Sequence, residues 1–146
     1  MAFASIQLAT FIIIMSGVVF GKETGLFIGM LTAFVSDIVM GMGYWLPYQM
    51  LAWGVIGYLS GLLAKQMDNI AFRTIYGLLC GFIFGWITNI VMFYFLAEIN
   101  LTSIIGVYIA GFPIDAIHGI CAAVCLLILY PWFKKTFTRA KTRFLN

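Results

Sequence analysis

Five apolar runs dominate this chain, at about 3–20, 24–41, 46–64, 74–97 and 113–133, each bounded by glycine, proline or charge. Each is close to the roughly 20 residues that a helix needs to cross about 30 Å of hydrocarbon. The pattern predicts an all-α integral membrane bundle of five transmembrane helices, with residues 1–133 as one membrane domain and 134–146 as a basic tail. The 101–112 stretch is too short to span. It is expected to lie along one surface or dip into it as a cap. Between the second and third runs, Gly41 and Gly43 free the backbone for a turn, and Pro47 suits the first turn of a helix that starts near Leu46. That corner carries Trp45, Tyr48 and Gln49, with Trp53 two turns on. Aromatic rings with a polar edge belong at a membrane boundary or against a flat ligand.

Composition narrows the choice of function. The chain has 146 residues, 64% of them hydrophobic and 9% charged, which excludes an ordinary soluble domain and leaves no room for a soluble catalytic one. It carries no P-loop, Gly-x-Ser-x-Gly or His-Glu-x-x-His motif, so no enzymatic activity and no cofactor is expected. Cys80, Cys121 and Cys125 lie inside apolar runs without a Cys-x-x-Cys or Cys/His pattern. They read as small hydrophobes, and no metal is expected.

The charges give a direction. All eight Lys and Arg residues fall on one side: Lys22 after the first run, Lys65 and Arg73 between the third and fourth, and Lys134, Lys135, Arg139, Lys141 and Arg143 after the fifth. Cytoplasmic loops collect such residues, so the C-terminus is expected in the cytoplasm and the Trp45 corner outside. The tail reads as a stop-transfer segment and headgroup anchor. Five spans with the C-terminus inside place Met1 outside, and one more helix is expected to precede it.

Small residues recur every four positions at Gly21, Gly25 and Gly29, at Gly57 and Gly61, and at Gly77, Gly81 and Gly85. Such faces let helix backbones approach closely in lipid, either within the bundle or against a partner membrane protein. Polar groups inside spans are costly and mark candidate sites. Asp37, Trp53, Asn89, Asp115 and His118 all fall in the half of the bilayer nearer the Trp45 corner, which predicts a polar, aromatic-lined cavity opening outward. Each has a structural alternative. Asp115, just after Pro113, is placed to stabilise a helix N-terminus or to pair with His118 three residues on, and Asn89 to bridge helices. In the binding reading, Trp45, Tyr48, Gln49 and Trp53 stack and hydrogen-bond, while Asp37, Asn89, Asp115 and His118 orient the cargo.

The segments Gly-Lys-Glu-Thr-Gly-Leu-Phe-Ile-Gly-Met-Leu-Thr-Ala-Phe-Val-Ser-Asp at 21–37, Trp-Leu-Pro-Tyr-Gln-Met-Leu-Ala-Trp-Gly at 45–54 and Gly-Phe-Pro-Ile-Asp-Ala-Ile-His-Gly at 111–119 resemble the substrate-binding S components of energy-coupling factor (ECF) transporters. The resemblance runs from about residue 6 to 135. It implies a six-helix fold, here without its first helix, the same gap that the charges indicate. It also implies capture of a vitamin or related micronutrient at the outer face, and docking onto a transmembrane T component driven by two cytoplasmic ATPases. Toppling of the S component then releases the cargo inward. Two rival readings are a small membrane enzyme using Asp37, Asp115 and His118 for acid–base chemistry, and a structural subunit with no ligand. Turnover lost on Asp115→Asn marks the first, and indifference of the complex to Trp53→Ala marks the second.

Overall fold

The computed structural model describes the backbone of residues 2–144 and the side chains of residues 8–144. Five helices follow in chain order: α1 (Ala2–Phe20), α2 (Lys22–Met40), α3 (Leu46–Leu62), α4 (Ile70–Thr88) and α5 (Leu101–Phe144). A 3₁₀ turn, Gln66–Asp68, precedes α4, and a 3₁₀ segment, Asn89–Phe95, extends it. Among the described residues there is no strand. Among the described residues three stretches are long and apolar enough to cross a membrane, namely Lys22–Met40, Ile70–Phe95 and Leu101–Phe144, and the part of α1 whose side chains are described, Leu8–Phe20, is apolar as well.

The turns follow from local chemistry. Gly21 joins α1 to α2 alone, at φ 106° and ψ 167°, a region essentially closed to residues with a Cβ. Gly41, at φ 109°, ends α2 in the same way. Pro47 lies in the first turn of α3. Asn69 caps α4, its side chain accepting from the backbone N–H of Ala71 at 2.9 Å and of Phe72 at 3.2 Å.

Two antiparallel pairs, α2–α3 and α4–α5, form the bundle, and α1 lies against α2, α3 and α5. Glycine seams hold each pair. A Cβ at Gly25 or Gly57 would overlap the other's backbone carbonyl, and one at Gly29 would overlap the Trp53 carbonyl. Gly61 meets the backbone of Gly21 and Lys22. Gly77 faces Ala123, and Gly81 faces Gly119 and the Asp115 carbonyl. Gly21, expected on the packing face, serves the turn instead, and the position of its own Cβ is open.

The sequence expectation fails at the cap. Residues 101–112 do not form a separate element, and α5 runs unbroken through Pro113 and Pro131 for 44 residues. The helix start is settled earlier, by a reciprocal capping pair. Asn100 N–H donates to Ser103 Oγ at 3.0 Å, and Ser103 N–H donates to Asn100 Oδ1 at 2.9 Å. Packing then carries the helix past the proline: Tyr108 donates to the Trp86 carbonyl at 3.3 Å, and the Phe112 ring lies 5.4 Å from that of Phe82. The carbonyls that a proline leaves unpaired are tolerated where neighbouring helices shield them.

Candidate functional site

One end of the bundle, here called the corner end, is formed by the end of α2, the start of α3, the 89–95 segment and the first turns of α5. At its rim the Trp45 side chain reaches the Asp37 carboxyl. Asp37 Oδ2 is buried with no hydrogen-bond partner among the described residues. Tyr48 and Tyr94 join hydroxyl to hydroxyl at 2.8 Å, with their rings edge to face. Gln49 is half-buried on the first turn of α3, beside Tyr48 in sequence.

Deeper, four helices converge on one polar node. Trp53 Nε1–H, from α3, donates to Thr10 Oγ1 of α1 at 3.0 Å, and the same oxygen lies in a 2.9 Å hydrogen bond with His118 Nε2 of α5. Phe84 of α4 fills the centre, its ring 5.2 Å from Trp53 and 5.0 Å edge-on from His118. Thr10, Trp53 and His118 are all buried. A buried indole N–H and imidazole each need a partner, and one hydroxyl serves both.

Asp115 stands in the α4–α5 seam. Its carboxyl lies on Gly85, where a Cβ would overlap it. It is 6% exposed, and no hydrogen bond reaches it among the described residues. The helix begins at Leu101, well before Asp115, so the expected N-terminal stabilisation does not apply. His118 directs Nε2 to Thr10. Asn89 sits where α4 passes into the 3₁₀ segment, its amide against Gly111: a Cβ there would stand 2.5 Å from Asn89 Nδ2, which is buried without a partner among the described residues.

The eight candidate residues therefore form three groups rather than one. Asp37 and Trp45 share the rim, with Tyr48 and Gln49 on the next turn. Trp53 and His118 meet through Thr10, and Asn89 and Asp115 both lie between α4 and α5. Sequence reasoning missed Thr10, Phe84 and Tyr94. A lone threonine early in an apolar run was a signal, but Ser16 in the same run turns its hydroxyl back to the Ile12 carbonyl, so type alone does not tell a hub from a self-satisfied residue. Among the described residues no three His, Cys, Asp or Glu side chains gather as a metal site. What the corner end offers is aromatic faces, a donor in Asn89 Nδ2, and carboxyl acceptors in Asp37 and Asp115, a set that suits a flat ring bearing hydrogen-bonding edges.

Comparison with known families decides the class. The family model described as ECF-type riboflavin transporter, S component, matches residues 1–135. The chain belongs to that family. This S component is thus a multi-pass membrane protein of vitamin uptake, a transporter component. Neither a curated protein nor a solved structure matches it.

At the opposite end a second polar cluster joins the α3–α4 loop to α5. Asp68 pairs with Lys134 and accepts from Tyr130 Oη at 3.2 Å. Arg73 is buried beneath, its guanidinium 4.6 Å from the centre of the Tyr130 ring. The Lys134 ammonium holds the Asp68 carboxyl below its ordinary pKa of 3.8.

Proposed function

We propose that this S component captures riboflavin, or a flavin with the same ring system, from the outer side at its corner end. The family match over residues 1–135 carries the reading. Polar groups without a hydrogen-bond partner among the described residues support it: the buried Asp37 Oδ2 and the carboxyl of the buried residue Asp115 accept, and the buried Asn89 Nδ2 donates. An isoalloxazine edge offers both an N–H and carbonyl oxygens, and Trp45, Tyr48 and Tyr94 provide faces for its ring. The Thr10–Trp53–His118 node lies below as the floor, keeping water and cargo from passing until the helices move. The basic side faces the cytoplasm, in keeping with the distribution of all eight Lys and Arg residues. Inward release then depends on a T component and two ATPases, since the chain has no nucleotide-binding motif of its own.

Titration of riboflavin into the purified protein tests this, with native mass spectrometry for stoichiometry and flavin fluorescence for ring stacking. One flavin per chain is expected, quenched on binding. Asp37→Asn and Asp115→Asn are expected to weaken it by about tenfold or more, the cost of a charge-assisted hydrogen bond. A folded protein that takes up no flavin but retains another vitamin would replace the substrate. Retention of none would remove the proposal.

A further inference from the structure

The C-terminal part of α5 is not a loose basic tail. Phe133 and Phe137 lie 5.1 Å and 5.9 Å from Phe11 and Phe20 of α1, ring to ring. Lys141 Nζ donates to the Val19 carbonyl at 2.8 Å, satisfying one of the orphan carbonyls at the end of α1. One face of this segment is thereby clamped to the bundle, which holds the opposite face in a fixed direction. On that face Ile128, Trp132, Lys135, Arg139 and Thr142 follow at spacings of four and three residues, one stripe along the helix. Ile128 is 69% and Trp132 67% exposed, so the stripe runs from apolar through an interfacial indole to cationic.

Beside it Pro131, Lys134, Lys135, Thr138, Arg139 and Thr142 form an open, shallow surface along the flank of the same helix. Lys134 is engaged by Asp68. Lys135 and Arg139 make no ion pair among the described residues. Thr138 is exposed, and its Oγ1 makes no hydrogen bond among the described residues, which leaves it to donate outward.

We propose that this clamped stripe is a binding site for one anionic phospholipid, its phosphate held by Lys135, Arg139 and Thr138 and its acyl chain laid along Trp132 and Ile128. Two uncompensated cations directly beyond an exposed apolar stripe, where the helix leaves the hydrocarbon, match a molecule that joins a phosphate to a hydrocarbon chain. A free phosphate would use the cations and leave the apolar half of the stripe unused. Because α1 already holds the segment, little ordering is needed on binding, and a specific lipid is retained rather than a diffuse annulus. The inference rests on the membrane assignment and not on the flavin site.

The test is native mass spectrometry of the full chain in detergent, with added phosphatidylglycerol or phosphatidylcholine of the same acyl chains, and inorganic phosphate as competitor. One phosphatidylglycerol per chain is expected, with phosphatidylcholine retained at least tenfold less. The double variant Lys135→Gln/Arg139→Gln is expected to lose phosphatidylglycerol about tenfold or more, as is proper to two interfacial cations. Its thermal melt and flavin titration should stay as in the parent, which separates this site from the corner end. The single variant Arg139→Gln, a milder change, should fall between. Equal retention of the two lipids, or a double variant that binds like the parent, would overturn the proposal. Displacement of the lipid by millimolar inorganic phosphate would overturn the lipid as the ligand and assign the cations to free phosphate.

Discussion

The α2–α3 and α4–α5 pairs are both built on glycines at four-residue spacing, yet the two seams do different work. Between α2 and α3, what lies where each Cβ would stand is backbone: Gly25 on Gly57, Gly29 on the Trp53 carbonyl, Gly61 on the turn at Gly21. Between α4 and α5 the same spacing begins as backbone contact, with Gly77 on Ala123 and Gly81 on Gly119, and then changes. At Gly85 the missing side chain makes room for the Asp115 carboxyl, and at Gly111 for the Asn89 amide. A small-residue face in lipid thus serves close approach along one seam. In the other it gives way, towards the corner end, to a shelf for polar groups that no hydrogen bond among the described residues satisfies.

Substitutions that fill the seams test this contrast. Gly29→Val or Gly57→Val should cost most, about 3 kcal/mol or more, because the obstacle is backbone on the neighbouring helix and cannot swing away. The yield of monodisperse protein and its melting temperature read this out, and a variant that folds like the parent would break the comparison. Gly85→Ala should be milder for folding and severe for ligand. The Asp115 side chain can rotate aside, so a loss of about 1–2 kcal/mol in stability is expected, with flavin binding weakened about tenfold or more. Adding Asp115→Ala to Gly85→Ala should restore the melt but not the binding. Failure of that rescue would mean that the two seams are alike.

Trp53→Phe comes next. It keeps the ring against Phe84 but removes the donor to Thr10, and a loss of about 1 kcal/mol is expected, read as a shift in melting temperature. The smallest effect is at the far end. The Asp68 carboxyl titrates below its ordinary value in the folded protein, so the pair with Lys134 adds stability at neutral pH and loses it as the pH falls below about 4. Because the pair is largely exposed, Asp68→Asn should cost only about 0.5 kcal/mol. Melts from pH 7 downward should show the difference between parent and variant in full at pH 7 and shrinking once the pH falls below the ordinary carboxyl value of 3.8.

Much of the candidate site was legible as residue types and little of it as contacts. Asp37, Asn89 and Asp115 stood out because a polar group in a hydrophobic run is costly wherever it points. Their grouping was not visible, since Thr10 and His118 meet across 108 residues of chain and no local spacing encodes such a pairing. The start of α5 was legible in principle. Asn100 and Ser103 have the spacing of a reciprocal cap, but Pro113 is the louder signal and drew the boundary to itself.

The sequence by itself determined how many helices form, where they turn and which faces are small enough to touch, because these depend on hydrophobic run length, on glycine at positive φ and on spacing along a single helix. Tertiary structure alone decided the rest. It determined that one glycine seam closes on backbone while the other admits a carboxylate. It carried α5 through its prolines, since α4 packs against the stretch that should have broken. It also brought a threonine, an indole and an imidazole from three helices to one point, where the buried ring nitrogens of Trp53 and His118 both meet the Thr10 hydroxyl.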